Sequence, residues 1–303
     1  MLTIVIPSYN HAEFIVSCLD AALAVEPAAT RVLIIDDGSP DNTMGVIQAY
    51  LETSTEATRV SVVSKKNSGL VNSLNLALSM VETELVYFIA SDDVVIPEGM
   101  DIMLKEMQRS PELKFIIGDA VYFYGDREDE GPVYKKKHDT FFQLSPLQRR
   151  SALYLDYPAP ILLQSTLFKT SSLREIGGWD VGLKLDDYPV FVKLFTQYDK
   201  FGKDFTFLSG INVVRYRQHD VNSYKDTFKQ YGMVVQTLDA IAPEELRAQA
   251  QARALAFYIL VALKTRDFRV VVKIIKYVGL KQFLGGVSCI PYVAYVHMLR
   301  DKL

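Results

Sequence analysis

Glu84-Leu-Val-Tyr-Phe-Ile-Ala-Ser-Asp-Asp93 carries an apolar run, Leu85 to Ala90, that stops at two adjacent carboxylates, Asp92 and Asp93. A run this short, rich in Val, Tyr, Phe and Ile and closed by charge, reads as a buried strand rather than a helix. Ligands of open α/β sheets bind outside the carboxyl ends of the strands. Carboxylates at such an end suit Mg²⁺ or Mn²⁺, which one or two carboxylates hold together with substrate phosphates.

Three further apolar runs precede this one: Leu2 to Ile6, Val32 to Ile35 and Val60 to Val63. The first stops at Pro7 and opens into the loop Ser8-Tyr9-Asn10, the second into Asp36-Asp37-Gly38-Ser39, and the third leads to Asn67-Ser-Gly69. Helical spacing follows the first and the third. Ile15, Cys18, Leu19, Ala22 and Leu23 form one stripe, and Leu70, Leu74, Ala77, Leu78 and Val81 another. Asn10 and Glu13 have capping-box spacing, and Ser39-Pro40 reads as a helix start. This strand–helix alternation predicts a parallel sheet with helices on both faces, the first strand central, and right-handed connections that bring the strand ends to one edge. Pro7–Asn10, Asp36–Ser39, Asn67–Gly69 and Asp92–Asp93 are therefore expected to converge.

Beyond Pro97 the pattern loosens. A helix over Met100–Met107, short strands over Phe115–Ile117, Gln164–Phe168 and Phe205–Val214, and a charged loop over Asp126–Lys137 are expected. A helix from about Pro189 carries Asp186 and Asp187 at its mouth, and helical signals dominate from Thr227. The 303 residues have an ordinary globular composition, 49% hydrophobic and 23% charged. Two cysteines, Cys18 and Cys289, give neither a disulfide framework nor a zinc pattern, which points to a reducing compartment. The N-terminus shows no secretory signal. No stretch meets the uninterrupted requirement of ~20 residues for a spanning helix. Residues 264–303 hold eight Lys and Arg against two Asp, a net +6, and the chain's net −3 thus leaves −9 on residues 1–263. An acidic body argues against nucleic acid as a partner. The basic tail, its cations interleaved with Phe268, Val271, Ile274, Ile275, Tyr277 and Leu280, suits an anionic membrane surface, a helix packed on the body, or a dimer contact.

The ordered set Pro7-Ser-Tyr-Asn10, Asp36-Asp-Gly-Ser39, Asn67-x-Gly69 with Asn75, Ala90-Ser-Asp-Asp93, Gly177-Gly-Trp-Asp180, Asp186-Asp187 and Tyr216-Arg-Gln-His219 resembles the family 2 glycosyltransferases of GT-A fold, over residues 2 to 225 or so. The resemblance implies inverting transfer of a sugar from a nucleotide-diphosphate donor to an acceptor hydroxyl. It assigns the donor to Pro7, Tyr9, Asp37, Asn67, Gly69, Asp92 and Arg217, with Asp37 accepting from uracil N3–H, Tyr9 stacking on the base and Asp92 facing the ribose. It gives the divalent cation to Asp93 and His219, the latter also a candidate for phosphate contact. Asp187, with Asp186 beside it, takes the position of the general base; a carboxylate there equally suits a helix N-terminus. Trp179 and Asp180 fall on the acceptor side, Trp179 as a sugar platform or a core residue. Two departures stand out. Ala90 removes the first carboxylate of the Asp-x-Asp-Asp pattern many members carry, and Leu74 stands where many carry arginine.

The expected architecture is an α/β GT-A domain over residues 1–225, with a donor half to 100 and an acceptor half from 101, followed by a helical region over 226–303. The expected setting is the cytoplasm, peripheral on the inner face of the cell membrane. The expected partners are a UDP-sugar and a saccharide or lipid-linked saccharide acceptor, with a homo-oligomer as a further option. A nucleotidyltransferase is the first alternative, but Pro7-Ser-Tyr-Asn10 is not the Gly-rich, basic loop it needs. A non-catalytic nucleotide-sugar or glycan binder is the second.

Overall fold

The computed structural model describes residues 1–26, 30–124, 131–218 and 226–296. They fall into two compact units. The first comprises 1–134, 160–181 and 190–218, and is built on one eight-stranded sheet.

In that sheet β1 (Leu2–Ser8) lies between β2 (Thr30–Asp36) and β4 (Leu85–Phe88), parallel to both, with β3 (Val60–Ser64) beyond β2. β1 is buried along almost its whole length, as a central strand with helices on both faces must be, whereas β3 alternates in exposure as an edge strand does. Pro7 does not end the first strand. It pairs with Ile35, and β1 continues to Ser8.

The far half of the sheet is mixed. β4 pairs antiparallel with β7 (Thr166–Lys169) and β7 antiparallel with β6 (Phe115–Phe123). β6 runs parallel to β8 (Phe205–Arg217), whose end pairs with the two-residue β5 (Val94–Val95). β5 had no signal of its own in the sequence; it exists because β8 offers it an edge just after Asp93. Phe115, Phe168, Phe191, Phe195 and Phe205 form the aromatic core here, with Phe115 and Phe205 stacked at 5.2 Å.

Both helix starts differ from expectation for one physical reason. α1 (Ile15–Ala24) buries Ile15, Cys18, Leu19, Ala22 and Leu23 as its spacing requires, but Asn10 does not cap it. Asn10 sits at φ 60° and its N–H donates to Ser39 Oγ, 29 residues away. α2 (Thr43–Thr53) begins beyond Pro40, where Asp41 accepts from the Thr43 N–H and also from the Ala12 N–H. The N–H groups of Asn10, His11 and Ala12 in the β1–α1 loop are thus satisfied by side chains of the β2–α2 segment, while the Thr43 N–H of α2 is taken locally by Asp41.

The second unit comprises 135–159, 182–189 and 219–303, of which 219–225 and 297–303 lie outside the described residues. α5 (Lys136–Phe142) is closed by the buried guanidinium of Arg149 on α6 (Pro146–Leu155), which donates to the carbonyls of Phe141 and Phe142. α9 (Thr227–Ile241), α10 (Glu244–Lys264) and α11 (Phe268–Ser288) make a core of Tyr231, Leu255, Ile259, Ala262, Val270 and Ile274. α11 is broken at Gly279, φ 76°, and α12 (Ile290–Ala294) follows. Among the described residues no helix is long and apolar enough to cross a membrane.

Candidate active site

The carboxyl ends of β1, β2, β3 and β4 meet as the alternation requires. The register sets Ser8 beside Asp36 and Asp36 beside Ser64. The Asp37 N–H donates to the Ser8 carbonyl, and the Lys65 N–H to the Asp36 carbonyl. Asp36, 1% exposed, accepts from the backbone of Gly38 and Ser39 and from the hydroxyls of Ser39 and Ser64. Asp36 is thus the knot of the turn. Its neighbour Asp37 points to the next loop, where its two oxygens accept from the N–H groups of Ser68 (2.9 Å) and Gly69 (2.8 Å) and pair with the Lys65 ammonium. Gly38, at φ 69°, lies against this loop; a Cβ there would come within 2.9 Å of the Asn67 nitrogen and the Lys65 carbonyl.

Lys65 is a residue that sequence reasoning missed, although a signal existed: it follows β3 as Asp37 follows β2, so the register alone makes them neighbours. Tyr9 stands 46% exposed beside these turns, its ring open to a stacking partner. Asn67 and Gly69 are exposed on the 65–69 loop, and Gly69 takes φ 90° to enter α3 (Leu70–Met80).

At the end of β4 the two carboxylates differ. Asp93 is 1% exposed; Gln164 Nε2 donates to its Oδ2 at 2.9 Å and the Arg217 N–H to its Oδ1 at 2.8 Å. Burial, and secondarily the Asp92 charge, hold the Asp93 carboxyl well above the usual carboxylate range. Asp92 is partly open. His11 Nδ1 lies 3.9 Å from its Oδ1 and 2.7 Å from Ser91 Oγ. Arg217 closes this side. Its Nε donates to the Asp92 carbonyl at 2.6 Å, and its guanidinium is sandwiched between the rings of Phe14 (4.8 Å) and Phe123 (4.2 Å). Burial pulls its pKa down while Asp93 and Asp92 oppose that. Gln164 and His11 carried no sequence signal for this site; the fold alone brings them in.

A divalent cation fits this donor set. Two adjacent carboxylates, one of them desolvated and held by its neighbour's charge toward protonation, are an excess of negative charge that a cation relieves. Among the described residues no cluster of three or more Asp, Glu, His or Cys side chains forms a cage, so the remaining ligands would have to come from substrate phosphates and water. His219, the other expected ligand, lies outside the described residues.

Gly177-Gly-Trp-Asp180 is tied to α3. The Asn75 side chain donates to the Trp179 carbonyl at 2.8 Å and accepts the Trp179 N–H at 3.0 Å. Trp179 is 4% exposed and packs edge-on against Phe88 at 5.0 Å. This burial corrects the expectation of an open sugar platform: the backbone clamp draws the ring into the core beside β4. Asp180 pairs with Lys193 at 2.7 Å, whose ammonium also donates to the Gly178 carbonyl. Asp186 and Asp187 belong to the helical unit. Asp187 is the first residue of α8 (Asp187–Gln197), and burial raises the carboxyl of the half-buried Asp186 above its usual range.

The profile described as "Glycosyl transferase family 2" matches residues 3–173. A chondroitin synthase of Pasteurella multocida is 34% identical over 113 residues, 37% of this chain and 11% of that protein. The chain spans between 11% and 45% of the length of the curated relatives it matches here. Among solved structures, S. aureus TarS 1–349 in complex with UDP-GlcNAc superposes with a TM-score of 0.60 at 16% identity, over 99% of this chain and 82% of that one. The mannosyltransferase PcManGT of Pyrobaculum calidifontis, in complex with GDP-Man and Mn²⁺, gives 0.58 at 16% identity over 97% and 84%. At this identity the two structures speak for the fold alone.

Proposed function

This chain belongs to glycosyl transferase family 2, and from that premise we propose that it moves a sugar, with inversion, from a UDP-sugar to a hydroxyl of a saccharide or lipid-linked saccharide in the synthesis of a surface polysaccharide. The observation that carries the proposal is the meeting, within the matched residues, of the Asp36-Asp37 turn, the 65–69 loop and the Asp92-Asp93 pair at one sheet edge. The relatives' names, polysaccharide synthases among them, support the choice of acceptor class.

In this reading Tyr9 stacks on the base and the backbone at Pro7 lines the ribose. Asp37 reaches the base with the one lone pair left on Oδ2, which accepts from the Gly69 N–H, because each carboxylate oxygen can accept twice and Oδ1 is already engaged by Ser68 and Lys65. Asp92, the more open of the pair, meets the ribose hydroxyls. Asp93, with Asp92 beside it, would hold Mg²⁺ or Mn²⁺, which when bound neutralises the diphosphate leaving group as a Lewis acid. Arg217 holds the Asp92 carbonyl with its guanidinium and the Asp93 carboxylate with its backbone N–H, and adds positive charge near the diphosphate. Asp187 is the general base. It takes the acceptor hydroxyl's proton as the oxygen bonds to sugar C1, while the bond from C1 to the diphosphate oxygen breaks and UDP departs with that electron pair.

The test is release of UDP from a panel of UDP- and GDP-sugars, with Mn²⁺ and with oligosaccharide acceptors. The expected result is acceptor-stimulated release from a UDP-sugar that chelation abolishes. Failure of every nucleotide sugar to be bound or consumed would overturn the proposal.

A further inference from the structure

α11 turns one side to the α9–α10 core through Val270 and Ile274 and, among the described residues, leaves the other side exposed. Phe268, Val272, Leu280 and Leu284, which a soluble helix would bury, are 51–68% exposed. They do not form a lone apolar seam. Lys264, Arg266, Arg269, Lys273, Lys276 and Lys281 are distributed among them, and all six lie on the same segment. From 264 to 296 the only acid is Asp267, whose carboxylate is occupied in accepting the Val270 N–H at the start of α11. Tyr292 and Tyr295 of the following segment are about half exposed as well.

We infer that this face of α11 lies on an anionic lipid surface, apolar tips in the acyl boundary and cations at the headgroups. Three observations select lipid over a protein groove. The exposed apolar residues recur at i,i+4 spacing, Phe268 with Val272 and Leu280 with Leu284, with cations set between them. Long Lys and Arg stems between them can lay their methylenes on the apolar layer and keep their charges in the headgroup region. Cations outnumber the one acid, itself used as a cap, so attraction to anionic lipid adds to burial. The break at Gly279 lets the Leu280–Leu284 half follow its own direction on a flat surface. The inference concerns the helical unit only and rests on no part of the transfer reaction.

The experiment is cosedimentation of the full chain with vesicles of phosphatidylcholine alone or mixed with phosphatidylglycerol, at low and high salt. The parent is expected to sediment with the mixed vesicles only and to be released near 1 M salt, where screening shortens to about 3 Å. Removing three exposed cations together (Arg269→Gln, Lys276→Gln, Lys281→Gln) should weaken binding to mixed vesicles roughly 100-fold. Leu280→Gln with Leu284→Gln should abolish it, with helical circular dichroism unchanged. Equal recovery with both vesicle types, no recovery with either, or a dimer that the Leu280/Leu284 variant converts to monomer while lipid binding is absent would each overturn the inference. The last outcome would make this face a contact between copies.

Discussion

Replacing Asp37 by Asn keeps the side-chain shape and removes one acceptor and the charge. In the parent, the carboxylate satisfies two backbone N–H groups, Ser68 at 2.9 Å and Gly69 at 2.8 Å, and pairs with Lys65. Asn can present its oxygen to only one N–H; its NH₂ then meets the other donor head-on. Ser68 and Gly69 are exposed, so water can take up the freed N–H and the loss is that of one ordinary hydrogen bond, about 0.5–1.5 kcal/mol. The retained hydrogen bond loses its ionic assistance, roughly a further 1 kcal/mol. The Lys65 pair, with Lys65 partly solvated, adds at most about 1 kcal/mol. The expected loss is therefore about 1.5–3.5 kcal/mol, with no nucleotide present. The chain supplies its own reporter. Trp179 is the only tryptophan and is buried in the sheet unit against Phe88, so its emission in a urea titration follows that unit's unfolding. Lys65→Met should cost about 1 kcal/mol or less, because it leaves both backbone bonds in place. An Asp37→Asn protein within about 0.5 kcal/mol of the parent would show that the carboxylate does not anchor the 65–69 loop, and the reasoning about this turn would fail.

The clamp on Trp179 gives a second prediction: Gly178 sits at φ 63°, and a Cβ there would come within 2.6 Å of Asn75 Oδ1. Gly178→Ala should cost about 2–4 kcal/mol on the same titration, from the left-handed backbone and the two lost hydrogen bonds, and a change under about 0.5 kcal/mol would contradict it. For the base, Asp187→Asn should leave the Trp179 unfolding curve and UDP affinity near parental, since Asn serves a helix start as well as Asp. Turnover should fall about 10²–10⁴-fold; parental turnover would reduce Asp187 to a helix-end residue and pass the role to Asp186 or Asp180.

Much of the sheet unit was legible in the sequence because its signals are local. Four short apolar runs, each closed by turn residues, marked β1 to β4, and the alternation with helical stripes fixed their parallel order and the edge at which their loops meet. What escaped depends on partners far along the chain. The starts of α1 and α2 are set by bonds between Asn10 and Ser39 and between Ala12 and Asp41, which outcompete the local caps that the spacing suggests. Trp179 reads equally as platform or core until Asn75, 104 residues earlier, is seen to hold its backbone. Asp92 and Asp93 look equivalent in sequence. Only the arrival of Gln164 and Arg217 buries one and leaves the other open. The helical unit gathers residues from three separate stretches, and no local pattern announces such an assembly.

Calorimetric titration of UDP into the parent and into Asp93→Asn, each with and without Mn²⁺, bears on the sheet-edge site most directly. Mn²⁺ is expected to raise the parent's affinity for UDP by an order of magnitude or more and to leave the variant's weak affinity unchanged, with the unfolding curve reported by Trp179 the same in both. Equal, Mn²⁺-enhanced binding by parent and variant would contradict it.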